Sequence, residues 1–192
     1  MSQIKLKHSG GNGVIIAAHS SNPAADRTLT LPCNADSTID ILNRTGNVLQ
    51  IVTSVITSSL ILNTSSDSSL LNAYSDTQMT ASITPQFANS TILVDFSFPL
   101  LLRDGSSGGA IGYGVKRNGT RVITADASPH EQFTGDDLVG FRTLYRYVDT
   151  THNSTSQQTY LLECFIRNYS GQTVEFNTRN CTSNVVIYEG AA

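Results

Sequence analysis

The sequence predicts an all-β protein, in which a short β-rich N-terminal region precedes a jelly-roll-like β-sandwich. Apolar and polar residues alternate in many short runs, which is the period of a half-buried strand. Segments rich in Gly, Asn, Ser and Pro separate these runs at regular spacing, as turns do in sandwiches and barrels. Ser, Thr and Asn are abundant and compete with helical backbone hydrogen bonds, and no run carries a helical period.

The N-terminal region contains three short apolar runs, Gln3 to Lys7, Gly13 to Ala17 and Arg27 to Pro32. The first and third alternate strictly, and the middle run is apolar on both faces. Two or three such strands form at best a thin sheet, which is marginal in water. We therefore expect the region to pack against identical copies around an axis; the alternative is that it forms the first sheet of one globular domain. The predicted oligomer or attachment interface consists of Ile4, Leu6, Val14, Ile16, Leu29 and Leu31.

The head is predicted to begin after a polar linker that ends at Asn47. Residues 1–47 then form the N-terminal β-rich attachment region and linker, and residues 48–192 form the β-sandwich head. Strands are predicted at 48–55, 58–63, 78–84, 91–98, 111–116, 120–124, 138–148, 159–167, 173–177 and 184–188. Loops are predicted at 64–69, 126–136 and 150–157. The strongest local signal is Asn118-Gly119, because both central residues of a tight hairpin turn need positive φ.

Composition argues against several classes of partner. Twelve Lys and Arg against 15 Asp and Glu give a net charge of −3. No basic cluster indicates a nucleic-acid footprint, so no nucleic acid is predicted as a partner. No run approaches the roughly 18 apolar residues that a membrane span requires, and no secretory signal peptide is expected. Of the three cysteines, Cys164 and Cys181 could pair if their Cα atoms came within about 7 Å; reduced cysteines are expected.

No arrangement of residues in the sequence indicates catalysis, and no catalytic residue, metal or cofactor is predicted. A polysaccharide-cleaving site needs two carboxylates about 5–10 Å apart. The candidates by residue type alone are Asp95, Glu131, Glu163 and Glu175, and alternation places Asp95 and Glu163 away from the main apolar faces. The histidines are His8, His19, His130 and His152; none has metal-ligand spacing, and those in loops are expected to be solvated.

The sequence offers candidates for two further sites. Asp136 and Asp137 could bind Ca²⁺ with loop carbonyls, although an exposed acidic turn is the favoured interpretation. Sugar binding would use exposed aromatic and polar side chains near loops. The candidates are Tyr74, His130, Phe133, His152 and Tyr169. Each is more often plain packing or solvent contact, so the receptor-binding residues stay unassigned.

A resemblance to a known family sharpens the functional prediction. Residues 5–18 read KLKHSGGNGVIIAA and residues 21–32 read SNPAADRTLTLP. Both stretches resemble the opening of fibre-like virion proteins of marine tailed phages, of the cyanophage type. The likeness resumes at residues 46–50 and continues more loosely through 82–85, 91–94 and 184–189. The chain departs from the family at residues 33–43, where a glycine-containing turn and a Thr-rich stretch are usual.

The resemblance implies a homotrimer that is made in the host cytoplasm and assembled into the virion. It implies a short β-rich N-terminal region before a β-sandwich head, with other virion proteins and a host-surface glycan as partners. The leading hypothesis is therefore a non-enzymatic tail-fibre or appendage protein that projects its head for host attachment. The alternatives are a capsid decoration or cement protein, whose N-terminal strands augment a capsid sheet edge, and a glycan-cleaving depolymerase.

Overall fold

The structure is a computed structural model that describes residues 3–7, 10, 13–17, 46–63, 73–103, 109–124, 131–133, 138–166, 173–177 and 181–191. The chain divides into two compact units, Met1–Ile39 and Asp40–Ala192. The first strand of the head begins at Val48, and the predicted domain boundary after residue 47 stays a prediction. No helix in the described ranges is long and apolar enough to cross a bilayer.

The N-terminal unit contains an antiparallel hairpin of β1 (Gln3–Lys7) and β2 (Gly13–Ala17). Its register places Ile4 opposite Ile16 and Leu6 opposite Val14. Residues directly opposite one another share a face of a ladder, so these four apolar residues lie on one face. The third predicted run, with Leu29 and Leu31, lies outside the described residues. The use of this face as an oligomer or attachment interface stays a prediction.

The head contains eleven described strands, and they account for the alternating runs of the sequence. They are β3 (Val48–Ile56), β4 (Leu60–Asn63), β5 (Tyr74–Ile83), β6 (Thr91–Arg103), β7 (Gly109–Arg117), β8 (Thr120–Ile123), β9 (Glu131–Phe133), β10 (Leu138–Asp149), β11 (Gln158–Ile166), β12 (Thr173–Phe176) and β13 (Ser183–Gly190). The loop prediction for residues 126–136 is wrong at β9, because a three-residue strand is too short to show a period of two.

The strands form two antiparallel sheets. The first has the order β3-β13-β6-β12-β4, with β10 along the other side of β6. The second has the order β5-β11-β7-β8, with β9 also beside β7. The pairs β3 with β13, β5 with β11, β6 with β10, and β7 with β8 nest inside one another along the chain. This nesting across two sheets is the connectivity of a jelly roll, and it confirms the predicted fold class.

The core lies between the inner faces of the two sheets. On β6, every second residue from Ile92 to Leu102 is at most 2% exposed. Tyr113 of β7 and Leu162 of β11 are similarly buried on the opposite sheet, and the rings of Phe98 and Tyr113 meet edge to face at 5.3 Å. Each such aromatic or aliphatic side chain stabilises the fold by about 1.5–3 kcal/mol when it is fully buried.

The hairpin between β7 and β8 confirms the strongest local prediction. Asn118 has φ 51° and Gly119 has φ 80°, and β7 pairs directly with β8 across them. Asn118 also ties the turn to the neighbouring β11, because its Oδ1 accepts from the Thr159 N–H at 2.8 Å and its Nδ2 donates to Gln158 at 2.9 Å. The turn is therefore fixed both by backbone conformation and by side-chain hydrogen bonds.

Candidate functional site

No two of the described candidate carboxylates lie close together. Asp95 is on the outer face of the six-stranded sheet, and Glu163 is on the outer face of the five-stranded sheet. The two sheets alone are about 10 Å apart, and both side chains point away from the core. Glu175 shares the face of Asp95 but lies beside Leu101, six residues further along β6, a separation of about 20 Å. The side chain of Glu131 is not among those that the structure describes.

Asp95 is neutralised by an arginine from the adjacent strand. Arg146 of β10 lies directly opposite it in the register. The guanidinium donates to both carboxylate oxygens, with Nε–Oδ1 at 2.6 Å and Nη2–Oδ2 at 2.7 Å. Ser97, two residues after Asp95 on β6, accepts a hydrogen bond from Arg142 Nε at 3.2 Å. The polar groups at the centre of this sheet face therefore find partners within the head.

Glu163 is the centre of a charged network on the other sheet. Arg121 donates to both of its oxygens at 2.6 and 2.8 Å, and Lys116 Nζ lies 3.1 Å from Oε1. Burial opposes ionisation of Glu163, but the hydrogen bonds from Arg121 and Lys116 hold its pKa below the ordinary value. A general acid for glycoside cleavage needs a raised pKa instead. The sequence candidate Glu163 is therefore a fixed ionised partner of two cations.

A glycine in the intervening strand makes this network possible. Arg121 is on β8 and Glu163 is on β11, with β7 between them, so the arginine side chain spans two strand spacings, about 10 Å. The β7 residue opposite Glu163 is Gly114, which has no side chain in that path. The guanidinium also lies 3.5 Å from the ring centroid of Tyr74. Tyr74, a candidate for sugar binding, is thus occupied by a cation–π contact.

A second buried acid, which the sequence reasoning missed, stands at the end of the sandwich. Asp149 is 1% exposed and accepts from Arg117 Nη1 and the Tyr160 hydroxyl, each at 2.7 Å. Its other oxygen accepts from the N–H and the hydroxyl of Thr151 at 2.8 and 2.9 Å. Burial opposes ionisation, but these bonds keep the pKa of Asp149 below its ordinary value. The Asp-x-Thr spacing is the available sequence signal, since Asp often caps the backbone two residues on.

The expectation that His152 is solvated is wrong. Its ring is buried, and its Nε2 donates to the Ser90 carbonyl at 2.8 Å. The loop after β10 folds back over this end of the sandwich, which no local pattern shows. Glu189 is also buried here, and it accepts from Gln50 at 2.6 Å and from the Gln86 N–H at 2.8 Å. These contacts fix loops rather than form an open site.

The other candidate residues do not form a site in the described part of the chain. Phe133 is in β9, but its side chain is not described. His130 and Tyr169 lie outside the described residues. The same holds for His8, His19, Asp136 and Asp137. Among the described residues, no group of three potential ligands could hold a metal ion. Cys164 is buried in the core and Cys181 is exposed, and these two described cysteines are free thiols.

The most distinctive surface is apolar and lies on one sheet. The large apolar side chains that are exposed in the described part all belong to the six-stranded sheet, with exposed fractions of 51–62%. Half-buried Leu93, Val186 and Tyr188 lie between them by register. We call this set the outer apolar face; its exposed members are Val48, Ile51, Val55, Ile61, Leu144 and Val148. Contiguous exposed apolar patches of this kind mark interaction sites on soluble proteins.

The outer apolar face is uneven. At one end is a depression of about 340 Å³, lined by Val48, Thr91, Leu93, Arg146, Tyr188 and Gly190. At the other end is a depression of about 330 Å³, lined by Pro99, Leu100, Leu101, Gly140, Phe141, Arg142 and Cys181. Leu144 lies on β10 between the arginines of the two depressions and is 62% exposed. The outer face of the five-stranded sheet differs in carrying exposed polar residues such as Asp76, Gln78 and Thr80.

Comparison with protein-family models and with curated proteins found no match. Among solved structures, the VP2 subviral particle of infectious bursal disease virus is 16% identical, with a TM-score of 0.40, and the alignment covers 86% of this chain and 42% of that one. The T13 particle of the same virus is 15% identical, with a TM-score of 0.43, and the alignment covers 86% of this chain and 40% of that one. Dimeric latent PorU from Porphyromonas gingivalis is 9% identical, with a TM-score of 0.33, and the alignment covers 77% of this chain and 14% of that one. The chain thus spans about two fifths of the viral proteins, and these similarities are too weak to assign a function.

Proposed function

We propose that this chain is a non-enzymatic structural protein of a virus particle, namely a trimeric fibre or appendage subunit. The N-terminal region attaches and trimerises the subunit, and the jelly-roll head projects outward to bind the host surface. One observation carries the proposal: a separate N-terminal unit contains a hairpin that pairs Ile4 with Ile16 and Leu6 with Val14 on one face. A two-stranded hairpin is marginal in water by itself, and packing against sister copies would cover this face.

The placement of the two candidate acids Asp95 and Glu163 argues against a glycosidase site formed by them. Asp95 and Glu163 lie on opposite sheets, and each is held by an arginine through both oxygens. Neither is available as the acid or the nucleophile of a glycosidase, which needs two carboxylates about 5–10 Å apart. Host attachment would come from avidity. Once one of three weakly binding heads on the axis is bound, the other two bind the same surface at a high effective concentration.

The test is the mass of the full-length protein by sedimentation velocity at micromolar concentration. We expect the number of copies to be a multiple of three, and Leu6→Asp to reduce it by a factor of three, because a charge then lies on the shared apolar face. Gln3→Asp is the matched control, since residue 3 is on the other face of the same strand. A wild-type protein whose copy number is not a multiple of three, or a Leu6→Asp protein of unchanged mass, contradicts the proposal.

A second candidate is a capsid decoration protein, and the outer apolar face favours it. A head that projects alone from a tail would leave Ile51, Val55 and Leu144 in water, whereas a head laid on a shell could cover them. An image of the particle separates the two roles, because density for the chain on the tail excludes decoration and density on the capsid surface excludes a tail fibre.

A further inference from the structure

We infer that the outer apolar face is the surface through which two copies of this head pack against each other. The inference goes beyond the proposed function, in which the N-terminal unit alone joins the copies. It starts from the placement of the exposed apolar residues. The exposed members of the outer apolar face come from β3, β4 and β10, which are far apart in the chain. The jelly-roll pairing brings them all to one sheet.

The charge on this face suits a second copy rather than a charged partner. Its described charged residues are Asp95, Glu175, Arg142 and Arg146, so the charges cancel. Asp95 and Arg146 already neutralise each other through two hydrogen bonds. The strand β3, which contributes Ile51 and Val55, has no charged residue. The part of the face formed by β3, β13 and the Asp95–Arg146 pair therefore meets an identical surface without leaving a buried charge unpaired, which would be costly.

The face also carries both a projecting side chain and depressions. Leu144 stands out between the depression that contains Arg142 and the depression that contains Arg146. In a two-fold pair, one patch must fit an identical patch on the partner. In the inferred pair, the projecting Leu144 of each copy enters a depression of the other.

The area of the face is of the same order as that of a stable pair. Four neighbouring strands, β3, β13, β6 and β10, lie side by side in this sheet. At about 4.8 Å between strands and about 3.3 Å per residue, eight residues of each strand span roughly 19 by 26 Å, or roughly 500 Å² of flat area. Side-chain relief makes the accessible area larger, so it approaches the roughly 800 Å² per partner of a standard interface.

The test is the mass of the full-length protein by sedimentation velocity, with charge placed at two exposed positions of the face. We expect an even number of copies for the wild type. Leu144→Glu and Val148→Glu should each halve that number and weaken pairing roughly a hundredfold, because each buries two carboxylates at an apolar contact. Gln78→Glu is the matched control, since it adds the same charge at an exposed strand position of the other sheet. Thermal unfolding verifies that the variants fold.

The outcomes separate this inference from the proposed function. Loss of head pairing divides the mass by two, whereas loss of the N-terminal association divides it by three. An odd copy number for the wild type overturns the inference, and so does an unchanged mass for the two variants or an equal loss in Gln78→Glu. If the face is covered by a capsid protein or by another segment of this chain, the wild type does not pair in solution, which also overturns it.

Discussion

Replacing Asp149 by Asn removes one charge from the buried network at the end of the sandwich while keeping the size of the side chain. One carboxylate oxygen accepts from Arg117 and from the Tyr160 hydroxyl, each at 2.7 Å. In the variant, an amide NH₂ group faces these donors or else displaces the bonds from Thr151. The side chain of Asp149 is 0% exposed, so water cannot replace the lost acceptor there.

The magnitude follows from the two bonds that are lost. A hydrogen bond to a charged group contributes about 1.5–3 kcal/mol, and breaking a buried ion pair costs about 3–5 kcal/mol. Arg117 remains 21% exposed and can be partly rehydrated. We therefore expect Asp149→Asn to lower the free energy of unfolding by about 3 kcal/mol at pH 7.

The same network predicts a pH dependence with a definite sign. The pKa of Asp149 is lower in the folded protein than its ordinary value, despite burial, because of the hydrogen bonds from Thr151, Tyr160 and Arg117. The stability contributed by ionised Asp149 is therefore fully present above the unfolded pKa, about 3.9. It is lost as the pH falls through the folded pKa. The difference between wild type and variant should shrink as the pH falls below about 4.

Urea unfolding at pH 7 and at lower pH measures both effects. Asp76→Asn is the control, because Asp76 forms an ion pair with Lys116 and its side chain is 55% exposed. We expect this surface pair to contribute less than about 1 kcal/mol. If Asp149→Asn costs no more than Asp76→Asn, or if its cost persists at acid pH, the reasoning about the buried network is refuted.

Two further predictions concern the hairpin and the thiols. Gly119→Ala should lower the free energy of unfolding by about 1–2 kcal/mol in urea, because Gly119 has φ 80°, where a Cβ is strained; an effect no larger than that of Thr120→Ala contradicts this. Alkylation of the native protein at pH 8, followed by peptide mass spectrometry, should modify Cys181 and not Cys164, because burial raises the pKa of the Cys164 thiol to about 12. Equal labelling of the two would mean that the core around Cys164 opens readily.

The fold class could be predicted because its signals are local. Alternation along β6 needs only the residues of that strand, and the Asn118-Gly119 turn needs only two residues with positive φ. The outer surfaces of the strands were also correctly separated from the core for Asp95 and Glu163. The three-residue β9 was missed, since so short a strand shows no period.

The partners of the polar residues could not be predicted in this way. Arg117 and Asp149 are 32 positions apart, and Gln50 and Glu189 are 139 positions apart. Such contacts depend on which strands pair and in what register. His152 was expected in solvent for the same reason, because its burial comes from a loop that folds back onto Ser90.

The sequence by itself determined that this chain forms short strands, tight turns and an apolar layer, because the alternation of side chains is a property of each strand alone. The tertiary structure decided where the strands meet. Only the nested pairing of the jelly roll places Ile51 and Leu144 on one outer face and sends Asp95 and Glu163 to opposite sheets. Neighbours across a sheet are set by long-range register, which no local sequence pattern determines.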